Sequence, residues 1–266
     1  MQPKEKRPMK LIISIVLRTI PRIYLHQISA TALQIIGIFY LGNNFEDPIS
    51  GKKYRKFLPY GRVHSRANAL SPGSMSLERH RLIWLYLKNK TDFFTTKKKM
   101  LHIAPEYCFI KKFKAMPNLE YITGDIESPW ADVKMDIHQI PFDNNTFDVV
   151  MCNHVLEHVE SDEIACKEIL RVMKPGAFAI LQSPIDYNRN ETYEDSSITD
   201  PKEREKHFLQ DDHLRIFGLD YGKRLAGFGF EVSEEDYIHE LKPELVIRYG
   251  LPVNEKIYLC KKPLKA

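Results

Sequence analysis

Short apolar runs separated by polar, turn-forming segments characterise the chain from residue 100 to its end. Seven such runs are predicted to be strands, at residues 100–104, 121–125, 133–135, 147–152, 177–182, 228–232 and 257–261. Several of the segments between these runs have apolar residues at helical spacing. Ser161 is placed to cap one such helix, whose Ile164, Ile169 and Val172 are expected to face a sheet. This alternation predicts an α/β fold with a mostly parallel sheet.

Polar residues stand at the ends of three of the predicted strands. Asp125 ends the second strand, Asp136 follows the third, and Asn153 and His154 follow the fourth. In open α/β sheets ligands bind in the crevice beyond the carboxyl ends of the strands, so these side chains are candidate ligand contacts. The alternative is that they are the solvated ends of buried strands.

Two apolar stretches precede the strand-rich region. Residues 11–17 and 28–41 lie on either side of Pro21, and lysines and arginines accompany the first. Neither stretch reaches the roughly 20 uncharged residues that a bilayer-spanning helix needs. We predict a helical segment at 1–44 that contacts a membrane surface through residues 9–41, with basic side chains at anionic headgroups. The alternative is that these helices pack on the rest of the protein or form a dimer contact.

Composition and charge narrow the class of protein. The chain has 266 residues, of which 43% are hydrophobic and 28% charged, enough for one large globular domain and an extension. The net charge of +4 and the pI near 8.7 are mild. Basic residues gather in the first hundred positions without an interleaved aromatic pattern, so a nucleic-acid partner is not predicted.

The four cysteines show no short spacings. They are Cys108, Cys152, Cys166 and Cys260. Scattered cysteines favour reduced thiols in a cytoplasm-like compartment over a disulfide framework. Each is expected to act as a small core hydrophobe.

A series of motifs in the centre of the chain resembles the class I S-adenosylmethionine-dependent methyltransferases. The motifs are Asp136, IPF at 140–142, FDVV at 147–150, HVLEH at 154–158 and MKPG at 173–176. Within that class the chain is similar, over residues 99–184, to the branch that contains the ubiquinone and menaquinone biosynthesis methyltransferases. The resemblance implies a Rossmann-like sheet of seven strands, the last antiparallel, with S-adenosylmethionine as the cofactor.

The turn after the first predicted strand departs from the family pattern. Most class I members have a glycine-rich loop there, whereas this chain has Ala104, Pro105 and Glu106. An acidic residue is also usual within that strand, and His102 stands in its place. Glu106 is expected to supply a carboxylate for the cofactor's amino group, or else to be a first-turn glutamate favoured by the helix dipole.

Further cofactor contacts are expected at the later strand ends. The spacing of Asp125 from the first turn suits a carboxylate that accepts hydrogen bonds from both ribose hydroxyls. The resemblance places Asp136 and Ile137 at the adenine, and Asn153 and His154 beside the sulfonium.

Residues 45–75 have the outline of a zinc ribbon without its cysteines. Asp47, Ser50, Ser71 and Ser74 occupy two similar short elements, at the spacing of a paired C-x2-C site. Relatives of this branch, as the resemblance implies, carry cysteines at such places. Serine is a poor zinc ligand, so we predict no metal and a knuckle held by Tyr54, Phe57, Leu58 and Tyr60. The alternative is accidental turn chemistry.

The remaining chain, residues 76–266, is assigned to the methyltransferase-like domain. Ser76 is predicted to cap a helix that runs to about residue 90. Residues 79–81 of this helix are interpreted as a solvated basic face, with contact to an acidic substrate or headgroup as the alternative. Residues 186–212 form a polar stretch too long for an ordinary loop, which predicts a substrate lid with a short helix near 202–208. Tyr187 and Tyr193 are expected to shape the acceptor pocket.

His158 and His213 are the candidate general bases, because histidine titrates near neutral pH. The alternative for His158 is a structural histidine at a helix start. Together these features predict methyl transfer to a small-molecule or lipid-linked acceptor, at oxygen or nitrogen more than at carbon, on the cytoplasmic side and at the inner membrane face. The alternative is a catalytically inactive binding or scaffold protein at the membrane surface.

Overall fold

The computed structural model describes residues 22–61 and 65–264. The predicted helix at residues 11–17 lies outside these ranges. Within them, no helix is both long and apolar enough to cross a bilayer.

The described chain begins with a helix that exposes several apolar side chains in its second half and at Ile28. Helix α1 spans Arg22–Phe39. Ile28, Ile35, Ile38 and Phe39 are each more than half exposed. Near its end the backbone at Gly37 approaches Pro72 and Tyr54. Among the described residues, therefore, these four side chains are not covered by the rest of the fold.

Two small hairpins follow the helix. They are formed by β1 (Leu41–Glu46) with β2 (Lys53–Tyr54), and by β3 (Leu58–Tyr60) with β4 (Arg66–Leu70). Each hairpin adjoins a turn with the same hydrogen bonds. The Gly51 amide donates to the Asp47 carbonyl over 2.8 Å, and the Met75 amide donates to the Ser71 carbonyl over 2.9 Å. Residues 45–75, called the knuckle below, therefore contain two matched turns.

A buried carboxylate lies where a zinc ribbon would hold its metal. Asp47 is fully buried, and its Oδ2 accepts hydrogen bonds from the Ser50 hydroxyl at 2.7 Å and the Ser71 hydroxyl at 2.8 Å. Ser74 does not join them, because its hydroxyl oxygen accepts from the Ser76 amide. Hydrogen bonds to an ionised carboxylate are stronger than neutral ones. Three of the four predicted ligand positions thus converge through hydrogen bonds.

The apolar support of the knuckle is smaller than predicted. Tyr54 and Phe57 are buried and their rings lie 5.9 Å apart. Leu58 is half-buried, but Tyr60 is 48% exposed. The expectation that Tyr60 holds the knuckle is wrong, because its short strand directs it to solvent.

The next helix, α2 (Glu78–Lys90), corrects two expectations. Its N-cap residue is Leu77, while the Ser76 side chain is buried and its hydroxyl lies 3.4 Å from Asp47. Residues 79–81 do not form a solvated face, since His80 is 6% exposed and Arg81 is fully buried. The Arg81 guanidinium binds backbone carbonyls of the knuckle and of the chain's last helix, so tertiary contacts determine its position.

The central sheet has seven strands in the order β12-β13-β9-β8-β5-β6-β7; β13 is antiparallel to both of its neighbours, β12 and β9, and all other neighbouring pairs are parallel. Its strands are β5 (Lys98–Ile103), β6 (Leu119–Asp125), β7 (Val133–Lys134), β8 (Phe147–Asn153), β9 (Met173–Gln182), β12 (Glu231–Glu235) and β13 (Ile257–Lys261). A short pair outside it joins β10 (Tyr193–Glu194) to β11 (Arg215–Ile216). The predicted Rossmann-like topology is confirmed. The sixth strand begins three residues later than expected, and β9 begins at Met173, four residues before the predicted strand at 177–182.

Helices cover both faces of the sheet. After α2 they are α3 (Tyr107–Lys114), α4 (Asp162–Val172), α5 (Pro201–Phe208), α6 (Tyr221–Gly227), α7 (Tyr237–Glu240) and α8 (Pro243–Tyr249). Ser161 caps α4 as predicted, accepting from the Ile164 amide at 3.2 Å. Ile169 and Val172 are fully buried, but Ile164 is half exposed, so its predicted contact with the sheet is wrong. The four cysteines are free and buried, as expected.

The predicted lid contains the predicted helix. Helix α5 begins at Pro201, with Asp200 as its cap, and β10 ties the segment to β11. Phe208, at the end of α5, is fully buried and anchors the segment against the domain. The long polar stretch is therefore an ordered cover.

Candidate active site

The crevice of this sheet lies between β5 and β8. From β5 the chain adds β6 and β7 on one side of the sheet and then adds β8 and β9 on the other side. The direction in which strands are added therefore reverses between β5 and β8. Open α/β sheets bind ligands at such a reversal, beyond the carboxyl ends of the strands. Ala104 follows β5 with φ 49°, and His154 follows β8 with φ 55°. Both adopt the left-handed conformation that glycine usually takes, so each strand turns sharply without a glycine.

A carboxylate occupies the turn after β5. Glu106 hydrogen-bonds to Nε2 of the fully buried His102, and the Asn153 side-chain amide donates to its other oxygen over 2.8 Å. Burial alone would raise the pKa of Glu106, but the charge and hydrogen bond of His102, with His80 and Asn153, lower it to about 2. Glu106 is therefore ionised at neutral pH. His102 itself packs in the core beside Tyr121, where it positions Glu106.

His80 approaches the same carboxylate from helix α2. Its Nε2 lies 3.8 Å from Glu106 and makes no hydrogen bond within the described part of the chain. Its Nδ1 accepts from the Leu77 amide at 3.1 Å. Burial lowers the pKa of His80 to about 3, although Glu106 opposes this shift. His80 is therefore a neutral imidazole at pH 7.

The two acidic residues of the later strand ends are more accessible. Asp125 is half-buried, and its Oδ1 accepts from the amides of Glu127 and Ser128 at 2.7 and 2.6 Å. Asp136 is exposed and pairs with His138. The bonds of Asp125 use one of its two carboxylate oxygens. Ile137 is 6% exposed and belongs to the core.

A large cavity of about 880 Å³ opens beyond the ends of β8 and β9. Its walls come from the knuckle, the start of α2, the segment after β9 and the chain around α8. Its polar lining includes Arg79, His154, Glu255 and Lys256. Burial raises the pKa of Glu255, although Arg79 and His154 lower it. The cavity therefore combines an apolar wall with charges of both signs.

A smaller cavity of about 300 Å³ adjoins it beneath the lid. Pro184, Ile185 and Tyr187 line both cavities. Tyr193 instead packs against Phe208 of the lid, with ring centroids 5.5 Å apart.

The fold brings the two candidate bases together. The rings of His158 and His213 lie 4.7 Å apart, edge to face, although 54 residues separate them. His213 is buried, and burial together with His158 lowers its pKa. His158 is half-buried, and its Nδ1 lies 3.5 Å from the Asp212 carboxylate. Glu157 completes the group beside the smaller cavity.

Sequence reasoning missed Glu157 and Glu255, and it considered Arg79 only as a member of the basic cluster at 79–81. Glu157 stands within the HVLEH motif, and its place between two histidines at a strand end was an available signal. Arg79 and Glu255 are 176 residues apart and meet only through the tertiary fold, so no local pattern indicates them.

Comparison with known proteins places the central part of the chain in a family. Residues 96–181 match a family model described as a methyltransferase domain. The chain is 34% identical over 65 residues to the ubiquinone/menaquinone biosynthesis C-methyltransferase UbiE of Idiomarina loihiensis, covering 23% of this chain and 26% of that protein. It is 37% identical over 70 residues to the demethylmenaquinone methyltransferase of Staphylococcus carnosus, covering 26% and 24%. The chain thus spans about a quarter of the length of the curated relatives it matches.

Solved structures include similar chains. A SAM-dependent methyltransferase from Archaeoglobus fulgidus aligns with 18% identity and a TM-score of 0.43, covering 68% of this chain and 93% of that one. The 1,6-didemethyltoxoflavin-N1-methyltransferase of Burkholderia thailandensis aligns with 10% identity and a TM-score of 0.44, covering 63% and 72%. Residues 96–181 thus match a methyltransferase domain, and the sheet that contains them has the strand order of a Rossmann-like methyltransferase fold.

Proposed function

We propose that this protein transfers a methyl group from S-adenosylmethionine to a small-molecule or lipid-linked acceptor, at oxygen or nitrogen more than at carbon. The observation that supports it most is the crevice itself, with Asp125 at the end of β6, Asn153 and His154 at the end of β8 on the other side of β5, and His154 lining a large cavity. A sulfonium is already a good electrophile, so holding the acceptor in line with the methyl group supplies much of the rate. The protein's tasks are binding, alignment and removal of a proton.

The residues present fit the cofactor. Asn153 Oδ1 is buried and accepts no hydrogen bond from the described residues, so a ligand donor would satisfy it. Asp125 would accept from the ribose hydroxyls, and Glu106 would face the amino group. Asp136 would lie at the adenine edge. When bound, the cofactor supplies an activated methyl group, and these side chains orient it.

Replacing Asp125 with alanine is expected to weaken S-adenosylmethionine binding about 10- to 100-fold. Loss of hydrogen bonds from a charged acceptor costs about 1.5–3 kcal/mol. Calorimetric titration of the full chain measures the effect. Asp125→Asn, which keeps an acceptor for the Glu127 and Ser128 amides, separates loss of the ribose contact from loss of the turn.

Asp195→Ala is the matched control. Asp195 also accepts from a backbone amide two residues on, at 2.9 Å from Ser197, but it lies in the lid segment. The Asp195→Ala substitution is expected to leave S-adenosylmethionine binding unchanged. Absence of binding by the unmodified protein at millimolar cofactor would rule out the enzyme and favour the inactive scaffold.

We also propose that helix α1 contacts an anionic lipid surface. Its support is the exposed apolar set of Ile28, Ile35, Ile38 and Phe39, together with the basic residues Lys4, Lys6, Arg7, Lys10 and Arg18 that precede it in sequence. Apolar side chains enter the headgroup boundary, and lysine and arginine each add about 1 kcal/mol near an anionic surface. This contact would bring the large cavity close to a lipid-linked acceptor.

Flotation with vesicles tests this contact. We expect the full chain to float with vesicles containing phosphatidylglycerol and less with phosphatidylcholine alone. The double substitution Ile35→Glu with Phe39→Glu should abolish flotation. Ile164→Glu, a change at an equally exposed isoleucine on α4, should leave it intact. Equal flotation of the double variant would contradict the proposal.

A further inference from the structure

We propose that Glu157, His158 and His213 form a divalent-metal site beneath the lid, and that its metal binds a hydroxyl group of the methyl acceptor. The metal site stands independently of methyl transfer. The assignment of a hydroxyl acceptor rests on the proposed function.

The three side chains offer ligand atoms in one place. One atom from each lies within 4.8 Å of the others. Imidazole and carboxylate ligands bind zinc at about 2.0–2.2 Å, so a shared ion would need these atoms to close by about 1 Å. His158 is half-buried, so its ring has more room than the buried His213 to make that adjustment.

Both imidazoles have the tautomer that a metal requires. His213 Nδ1 donates to the Phe208 carbonyl over 3.1 Å, and His158 Nδ1 donates to the Asp212 carbonyl over 3.3 Å. A ring nitrogen that donates in this way leaves Nε2 with a lone pair, and such bonds orient histidines at metal sites. The Gln210 amide nitrogen lies 2.8 Å from His213 Nε2 and would be displaced.

Glu157 supplies an unsatisfied buried oxygen. The residue is 2% exposed, and its Oε2 accepts from the Ser183 hydroxyl at 3.1 Å. Its Oε1 is buried and makes no hydrogen bond to any described residue, although it lies 3.3 Å from His154 Nδ1. An unsatisfied buried carboxylate oxygen is costly, and a cation would satisfy it.

The ligand set indicates the class of metal. Two imidazoles and one carboxylate suit Zn²⁺, Co²⁺, Fe²⁺ or Mn²⁺ better than Mg²⁺ or Ca²⁺, which prefer oxygen ligands. Three protein ligands leave coordination positions open, as catalytic sites do. The smaller cavity, lined by Glu157 and His213, is the space beside those positions.

An open metal position accounts for acceptor activation. A bound cation lowers the pKa of a coordinated hydroxyl, which then loses its proton to solvent near neutral pH. The acceptor oxygen forms the new C–O bond as the C–S bond of the sulfonium breaks, and the sulfonium becomes a neutral thioether. His158 and His213 then act as ligands, in place of the general-base role predicted from sequence.

Titration of chelator-treated, full-length protein with Co²⁺ and Zn²⁺ tests the site without cofactor or acceptor. We expect one ion per chain and a visible Co²⁺ absorption band. His158→Ala, His213→Ala and Glu157→Gln should each weaken binding at least about 100-fold. His239→Ala is the control, because this exposed histidine pairs with Asp236 far along the chain.

Two outcomes would overturn the site: no stoichiometric ion, or binding that the three variants retain. If His213→Ala fails to fold, His158→Ala and Glu157→Gln carry the test, with circular dichroism of the metal-free variants as the folding check. Once an acceptor is known, methyl transfer that survives chelation would overturn the metal's role in activation. S-adenosylmethionine binding by the same samples reports separately on the proposed function.

Discussion

Replacing Arg81 with alanine is expected to lower the free energy of unfolding by about 3–5 kcal/mol. The fully buried guanidinium donates to four backbone carbonyls, at 3.0, 2.8, 2.6 and 2.6 Å. These belong to Ala69, Ser76, Tyr249 and Gly250. Burial lowers the pKa of Arg81 to about 10, so it remains charged at neutral pH. Alanine would leave these acceptors unsatisfied and open a cavity beneath Phe57, whose ring lies 4.6 Å from the guanidinium.

Urea denaturation of matched variants measures this effect. Lys167→Ala is the control, since the Lys167 and Glu163 side chains that pair there are 60% and 54% exposed. Such exposed pairs contribute at most about 1 kcal/mol. Arg81→Lys should be intermediate, because an ammonium keeps the charge but cannot reach all four carbonyls. A loss below about 1 kcal/mol for Arg81→Ala would contradict the assigned role.

Acid is expected to destabilise the protein through His80 in a range where most carboxylates are still ionised. His80 has a pKa of about 3 when folded, against 6.5 ordinarily, chiefly because it is buried. Between these values the unfolded chain binds one more proton at this site, so the unfolding free energy falls as pH falls. From pH 6.5 to 5 the loss is about 2 kcal/mol, since one pKa unit corresponds to about 1.4 kcal/mol.

Glu106 makes the unfolding free energy depend on pH in a second, more acidic range. Its pKa of about 2 in the folded state lies below the ordinary 4.5, so its contribution to stability is present above pH 4.5 and is lost as pH falls toward 2. Denaturation at pH 7, 6 and 5 covers the range in which His80 acts, together with His213, whose pKa burial also lowers. His80→Gln keeps an acceptor for the Leu77 amide and should flatten the profile, whereas His239→Ala should not. An identical profile for His80→Gln would show that His80 is not the titrating group.

The sequence alone determined the sheet and the positions of its polar strand ends. Apolar runs of strand length, with helical spacing between them, identify α/β order because strands and helices bury their apolar residues at different periods. Asp125, Asp136, Asn153 and His154 could be placed at the strand ends because the carboxyl end of a parallel strand follows directly from its run. The knuckle and the lid helix were also readable, since turn residues and helix caps act locally.

Only the tertiary structure decided which side chains meet. Arg81 has the sequence context of a surface helix residue. In the structure, carbonyls distant in sequence surround its guanidinium, which links the knuckle to the end of α8. His158 and His213 were recognised one by one, whereas their common site with Glu157 depends on how the lid returns to the sheet. Hydrophobic periodicity and turn residues in the sequence indicate which residues are buried and where the chain turns. The convergence of charges from distant segments depends on the packing of the whole chain.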